Sequence, residues 1–110
     1  MKKVEAIVRP EKLDQIKTAL EKKGFSSMTV TDVLGRGEQG GLEFSHRAGK
    51  YRVDLLQKTK IEIVAQDSDI DIIIETIMTT ARTGEIGDGK IFVFPVEETI
   101  RIRTGERCKY

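Results

Sequence analysis

Two helices and four strands, in the order β-α-β-β-α-β, are predicted by the way apolar side chains repeat along this chain. Strand patterns, either alternating or rich in β-branched residues, occur at 2–9, 27–35, 57–65 and 90–95. Apolar stripes at helical spacing follow the first and the third of these segments. The order is that of the split βαβ, ferredoxin-like α+β sandwich, in which both helices cover one face of the sheet. A chain of 110 residues suits a single domain, 1–110.

The first helix is predicted to begin at Pro10. Proline lacks a backbone N–H, and an N–H at the first helical position would have no partner within the helix. Its apolar stripe consists of Leu13, Ile16, Ala19 and Leu20. Gly24 is expected to end the helix in the left-handed conformation. Since only one face is apolar, this helix should lie on a sheet.

The second helix is predicted to be capped by Asp67 or Ser68. Its apolar stripe consists of Ile70, Ile73, Ile74, Ile77 and Ala81. Gly84 is expected to stop it.

The C-terminal residues predict one more element. Pro95 should break the fourth strand, and 98–103 is predicted as a short fifth strand. On such a strand Arg101 and Arg103 would leave on one face, because they alternate with isoleucines.

Composition restricts the class of protein and its compartment. Charged residues make up 34% of the chain and the net charge is +1, which argues against binding nucleic acid or a membrane through bulk electrostatics. No secretory segment and no long apolar run occurs, so a cytoplasmic protein is expected. With Cys108 and His46 each the only residue of its type, an internal disulfide and a histidine-based metal site or catalytic triad are not expected.

The sheet face away from the helices is predicted to be neither a plain solvent face nor a second core. It would carry Glu5, Ile7, Lys58, Lys60, Glu62 and Val64. Contact with further copies of the chain would satisfy both its charges and its apolar area, so a homo-oligomer is expected.

A glycine-rich turn joins the second helix to the fourth strand and contains Gly84, Gly87, Asp88, Gly89 and Lys90. One interpretation is structural, with a helix cap followed by a tight turn. The other is an anion site, because bare backbone N–H groups beside a lysine suit a phosphate.

A long segment, about 36–55, separates the second and third strands, where a short hairpin loop is usual. Loops of this length in compact domains are commonly functional. Phe44 and Tyr51 are large for a solvated loop, so they either pack locally in an extended hairpin or are offered to a partner. The G-x-G-x-x-G pattern from Gly35 to Gly40 is not a dinucleotide fingerprint, because nothing helical follows it. Its glycine N–H groups could still bind an anion.

Nearly the whole chain resembles the PII nitrogen-regulatory signal proteins. The matching motifs are the opening MKKVEAIVRP, Ser27–Thr31, Gly35–Gly41, Val53–Val64, Thr83–Val96 (TGEIGDGKIFVFPV) and Ile100–Glu106 (IRIRTGE). The resemblance implies a ferredoxin-like homotrimer that binds ATP or ADP in clefts between subunits and 2-oxoglutarate beside MgATP. It also implies that the segment at about 36–55 is the T-loop, which docks onto partners.

Site residues follow from the same resemblance. It assigns ATP or ADP binding to Ile7, Thr29, Gly35, Gly37, Glu38, Gln39, Lys58, Glu62, Val64, Gly87, Asp88, Gly89, Lys90, Phe92, Arg101 and Arg103. It assigns 2-oxoglutarate binding to Gln39, Gly40, Gly41, Lys58 and Gly87, and Mg²⁺ with ATP to Gln39. The residue types suit these roles, since arginine forks fit phosphate, a lysine fits a carboxylate, and an amide oxygen fits Mg²⁺.

The chain departs from the family pattern at the T-loop. Glu38 stands where the family often has arginine and cannot hold a phosphate, so nucleotide discrimination is expected to differ. Around Tyr51, the modified tyrosine of many bacterial members, His46 and Lys50 replace a tyrosine and an acidic residue. Uridylylation of Tyr51 therefore stays open, while Arg47 is retained as a contact to an ammonium transporter.

The implied function is a non-enzymatic sensor of nitrogen, carbon and energy status that acts through the T-loop. The implied partners are an ammonium transporter and, further, glutamine synthetase, nitrogenase regulators or nucleotidyltransferases, with no nucleic acid and with a membrane only through a transporter. A slow ATPase or small phosphatase is the alternative, and Glu62 and Asp88 are its candidate bases. An RNA-binding sheet is disfavoured, because the exposed aromatics Phe92 and Phe94 lie on one strand and the third strand has none.

Overall fold

A computed structural model describes residues 1–37, 42–46, 49–53 and 55–109. The strands are β1 (Lys2–Val8), β2 (Thr29–Gly35), β3 (Leu42–His46), β4 (Gly49–Val53), β5 (Leu56–Ala65), β6 (Gly89–Pro95), β7 (Glu98–Ile100) and β8 (Arg107–Lys109). The α-helices are α1 (Leu13–Lys22) and α2 (Asp67–Ala81).

The main sheet has four strands in the order β2-β5-β1-β6, and all neighbours are antiparallel. Alternate residues of β1 and β5, such as Val4, Ala6, Ile61 and Ile63, are buried beneath the helices. Ile16, Leu20, Ile73 and Ile77 are the most deeply buried helix side chains of this core. The predicted α+β ferredoxin-like sandwich is confirmed. No helix in the described part of the chain is long and apolar enough to cross a membrane.

Both ends of α1 follow the sequence prediction. A single 3₁₀ turn, Pro10–Lys12, leads into the helix and has the proline at its start. At the other end Gly24 has φ +92°. Its N–H donates to the Glu21 carbonyl and the Phe25 N–H donates to the Leu20 carbonyl, which is the Schellman pattern of helix termination.

Both predicted ends of α2 are wrong in detail. The residue before the helix is Gln66, and no side chain caps the first turn. Asp67 instead lies 2.9 Å from the amino group of Met1. The helix ends at Ala81, where Arg82 turns extended, so Gly84 is not its stop. Gly84 belongs to the following turn, where Asp88 rather than a helix carbonyl receives its N–H.

The long segment between β2 and β5 contains a separate hairpin. Strands β3 and β4 pair antiparallel, and their register sets Phe44 opposite Tyr51. An extended hairpin was one of the two arrangements expected for these aromatic residues. The backbone therefore carries its own hydrogen-bond ladder within the predicted T-loop, between Leu42–His46 and Gly49–Val53.

The C-terminal prediction is wrong for Arg101 and Arg103. Strand β7 ends at Ile100, and residues 101–105 form the turn of a hairpin with β8. Gly105, at φ +72°, donates its N–H to the Arg101 carbonyl and so closes this turn. The side chains of the two arginines therefore project from a turn and not from one face of a strand.

Candidate functional site

The turn between α2 and β6 is shaped by two glycines that no other residue could replace without strain. Gly87 and Gly89 have φ values of +100° and +104°, which side chains rarely tolerate. Gly89 also pairs with Val8 of β1. A Cβ built on Gly89 would lie 1.7 Å from the Ile7 carbonyl oxygen. The turn is thus pressed against β1 at the point where a side chain would separate them.

The Asp88 carboxylate holds this turn together from inside. Its Oδ1 accepts hydrogen bonds from the Thr83 hydroxyl at 2.5 Å and from Arg9 Nε at 3.1 Å. Its Oδ2 accepts the backbone N–H groups of Thr83 and Gly84, both at 2.9 Å. The bonds from Thr83, with those from Gly84 and Arg9, hold the pKa of Asp88 well below its usual range. A carboxylate engaged at both oxygens is an unsuitable base, which counts against its role in the ATPase alternative.

Two cations meet at Gly87. The Lys58 ammonium donates to the Gly87 carbonyl at 2.7 Å, and Arg9 Nη2 donates to the Ile86 carbonyl at 2.8 Å. A Cβ on Gly87 would lie 3.3 Å from Arg9 Nη2 and 3.6 Å from Lys58 Nζ. The pairing of Val8 with Thr59 explains this meeting, because Arg9 and Lys58 lie one step beyond it at the same end of the sheet. Lys58 therefore sets a positive charge beside the bare α-carbon of Gly87, while the charge of Arg9 is paired with Asp88.

The open sheet face carries a row of charges beside exposed apolar groups. Glu62 contacts Lys3 at 3.1 Å and Lys60 at 3.8 Å, and Lys60 also lies 3.9 Å from Glu5. Glu62 is thus shared between two ammonium groups. The side chains of Val64, Phe92 and Phe94 are exposed on the same face.

The structure brings several predicted site residues together. Lys58 reaches the glycine turn, as described above. Thr29 lies directly opposite Glu62 across β2 and β5, and Ile7 lies opposite Lys90 across β1 and β6. Gly35 ends β2 close to Lys58, whose Cγ would be 3.7 Å from a Cβ placed there. These pairs lie along the same open face and its rim, next to Val64 and Phe92.

Other predicted residues do not join this group within the chain. Arg101 lies 3.6 Å from Glu106 in the C-terminal hairpin, and Arg103 is exposed in the same turn. Gly37 is exposed, with nothing within 4 Å of a Cβ placed on it. Glu38, Gln39, Gly40, Gly41 and Arg47 lie outside the described residues, and Tyr51 is described only by its strand pairing.

Sequence reasoning missed Arg9 and Thr83. Thr83 carried a local signal, because a threonine just before a Gly- and Asp-containing turn commonly bonds to the turn's own groups. Arg9 had none, since its partner Asp88 is 79 residues away. Only the pairing of β1 with β6 makes the two neighbours.

A groove of about 420 Å³ lies between α2 and β6. Most of its lining is apolar and includes Ile74, Ile77, Met78, Ile91 and Val93. The charged residues Arg82, Asp88 and Lys90 also line it. A groove that is mostly apolar suits an apolar group better than a phosphate or a carboxylate.

Known proteins resemble this chain along almost its full length. The family model described as "Nitrogen regulatory protein P-II" matches residues 1–106. A "Nitrogen regulatory protein P-II 2" from Methanothermobacter thermautotrophicus is 58% identical over 109 residues, covering 99% of this chain and 95% of the relative. Proteins named "Nitrogen regulatory protein P-II" from Nostoc punctiforme and Microchaete diplosiphon are 55% and 54% identical, each over 97% of this chain and 96% of the relative. With this match added to the ferredoxin-like sheet and the glycine turn, the chain belongs to the nitrogen regulatory protein P-II family, and its role is in nitrogen regulation.

Proposed function

We propose that this protein is a non-enzymatic sensor that binds ATP or ADP at the Gly87–Lys90 turn and 2-oxoglutarate beside MgATP. The ligands change the T-loop, and the T-loop regulates ammonium transport and nitrogen-assimilation proteins. The observation that carries the proposal is the meeting of Lys58 with the positive-φ backbone of Gly87. That meeting joins a cation to a backbone that a ligand can approach closely.

The phosphates are assigned to the turn because it combines close backbone approach with positive charge. Gly87 and Gly89 leave the backbone uncovered, and Lys90 follows directly in β6. Arg101 and Arg103 are the remaining phosphate contacts, and they reach the turn of a neighbouring subunit. Their exposure in the C-terminal hairpin supports contact with another copy. The adenine and ribose are assigned to the open face near Thr29, Glu62 and Val64.

A homotrimer completes the site. The open face has exposed Val64, Phe92 and Phe94 around the Lys3–Glu62–Lys60 charges. Apolar surface next to paired charges is suited to burial against other copies of the same chain. One wall of each nucleotide cleft then comes from the glycine turn and the other from a neighbour's hairpin.

Lys58 is the proposed contact to a carboxylate of 2-oxoglutarate, with Gln39 holding Mg²⁺ and Gly40 and Gly41 donating backbone N–H groups. The Lys58 ammonium is already bonded to the Gly87 carbonyl. Binding of the carboxylate at Lys58 therefore exchanges or shares an existing hydrogen bond.

The T-loop hairpin is the proposed docking element. Its two strands present paired backbone in a fixed register, a form that suits insertion into a partner's groove. The proposed partners are an ammonium transporter, through Arg47, and glutamine synthetase, nitrogenase regulators or nucleotidyltransferases. Contact with a membrane comes only through the transporter.

Isothermal calorimetry tests the proposal directly. ATP should bind to the protein alone, and 2-oxoglutarate should bind only when MgATP is present. Steady-state ATP hydrolysis should be negligible, because both nominated bases are engaged by cations or N–H groups. Rapid turnover without any effect of 2-oxoglutarate would favour the ATPase instead.

A further inference from the structure

Arg9 bridges two parts of the glycine turn from outside it. Its Nε donates to Asp88 Oδ1 at 3.1 Å, and its Nη2 donates to the Ile86 carbonyl at 2.8 Å. The side chain is 24% exposed, as is that of Asp88. A planar fork that binds acceptors on either side of Gly87 fixes the position of that residue as well as pairing a charge.

We infer that Arg9 is a positioning residue for the anion site, acting through Asp88 and the Ile86 carbonyl and not by contact with the ligand. This inference rests on the proposed binding of ATP at the same turn. It identifies Arg9, Asp88 and Thr83 as one unit, in which the arginine just after β1 and the threonine just after α2 share a single carboxylate.

The turn needs such a unit because its glycines are otherwise free to move. Glycine loses more conformational freedom on ordering than any other residue. Gly89 is fixed by pairing with Val8, and Gly84 is fixed by its bond to Asp88. Gly87 lies between them and is fixed by the bond from Lys58 and by Arg9 acting on both of its neighbours. An ordered turn binds an anion more tightly because the ordering cost has been met before binding.

Electrostatics alone makes the opposite prediction for Asp88, which makes the inference testable. A carboxylate next to an anion site repels the anion, so Asp88→Asn should strengthen ATP binding if charge alone mattered. If Asp88 orders the turn, Asp88→Asn should weaken ATP binding although it removes a negative charge. The direction of the change therefore separates the two accounts.

The experiment is calorimetric titration with ATP of the assembled wild-type protein and of Arg9→Gln, Asp88→Asn and the double variant. Each single substitution is expected to raise the Kd at least about tenfold, and the double variant should lie within about twofold of the weaker single one, because the residues act as a unit. Arg9→Lys should fall between wild type and Arg9→Gln, since lysine keeps the charge but lacks the fork. Arg82→Gln is the matched control: it removes an exposed arginine beside the turn and should change the Kd less than twofold.

A second readout needs no ligand. Hydrogen exchange at the amides of Thr83 and Gly84, which donate to Asp88, should be faster in Arg9→Gln than in Arg82→Gln. Thermal unfolding and sedimentation verify that each variant is folded and assembled. If Arg9→Gln does not fold or assemble, the comparison is made with Arg9→Lys instead.

The outcomes separate the two proposals. If wild-type protein binds no ATP, both the proposed function and the inference about Arg9 are wrong. If wild-type protein binds ATP, then unchanged affinity in Arg9→Gln, tighter binding in Asp88→Asn, or additive losses in the double variant overturn the role of Arg9 alone.

Discussion

Gly89 shows how one missing side chain allows two strands to meet. The clash with Ile7 that a Cβ would make is with backbone, which cannot move aside as a flexible side chain can. The glycine pattern of the turn was visible in the sequence, and Gly87 and Gly89 both have positive φ values in the structure. Which glycine also needs close approach was not visible, because that depends on the pairing of Gly89 with Val8.

Gly89→Ala is expected to lower the free energy of unfolding by more than about 3 kcal/mol, since it adds a steric clash to an unfavourable φ. Gly84→Ala is the matched control. Gly84 has φ +88° but nothing within 4 Å of a Cβ. Gly84→Ala should therefore lower the free energy of unfolding by only about 1–2 kcal/mol. Urea unfolding of the two variants gives both numbers, and equal losses would show that the close approach carries no cost.

Lys58→Ala should abolish binding of 2-oxoglutarate in the presence of MgATP, because it removes the cation assigned to the carboxylate. Lys22→Ala, which removes an exposed lysine from the last turn of α1, controls for the loss of one positive charge. Calorimetry at saturating MgATP measures the effect. An unchanged affinity for 2-oxoglutarate in Lys58→Ala would remove this residue from the site.

The elements were predicted better than their ends. Hydrophobic periodicity located both helices and the four main strands, because that signal is repeated over many residues. The cap of α2 was wrong because Asp67 bonds to the Met1 amino group, a contact that depends on tertiary structure. The last predicted strand was correct at 98–100 and wrong at 101–103. Gly105 closes a turn at Arg101, which interrupts an alternating pattern that looked continuous.

The turn between α2 and β6 should respond to acid through Asp88. Its pKa is lowered in the folded protein, so its contribution to stability is complete above the unfolded pKa of about 4 and is lost as pH falls through the folded value. Asp88→Asn should therefore have a lower free energy of unfolding than wild type at pH 7. The difference between the two free energies should become smaller below about pH 4.

Urea unfolding of wild type and Asp88→Asn between pH 7 and pH 3 measures that gap. Asp71→Asn, which removes an exposed carboxylate from α2, controls for the change in net charge. A gap that stays constant down to pH 3 would contradict the role given to the carboxylate.

At the scale of the whole molecule, the open sheet face is the surface through which the proposed trimer would complete the proposed nucleotide site. Phe94 is 41% exposed there, with the Lys3 ammonium 5.0 Å from the centre of its ring. Phe94→Lys places a second cation beside Lys3 on the surface proposed to be buried in the trimer, so it should shift the protein towards monomers. ATP affinity should fall with it, because the second wall of the proposed cleft is assigned to another subunit.

Sedimentation velocity and calorimetry on the same samples test this coupling. Ile72→Lys is the control, since Ile72 is 47% exposed on α2 and away from the open face. It should leave both assembly and ATP affinity unchanged. Monomers of Phe94→Lys that bind ATP as wild type does would place the whole site within one chain.

The Gly87 carbonyl, which accepts a hydrogen bond from Lys58, occupies the same ammonium group that is proposed to bind a ligand carboxylate. The carbonyl is tethered beside the ammonium, so it acts as an internal ligand at high effective concentration. Under the proposed function, a carboxylate that takes this carbonyl's place at Lys58 must outcompete it, so its half-saturating concentration is higher than the contacts to the ligand alone would give. The working range is then set by the strength of this internal bond as well as by the contacts to the ligand.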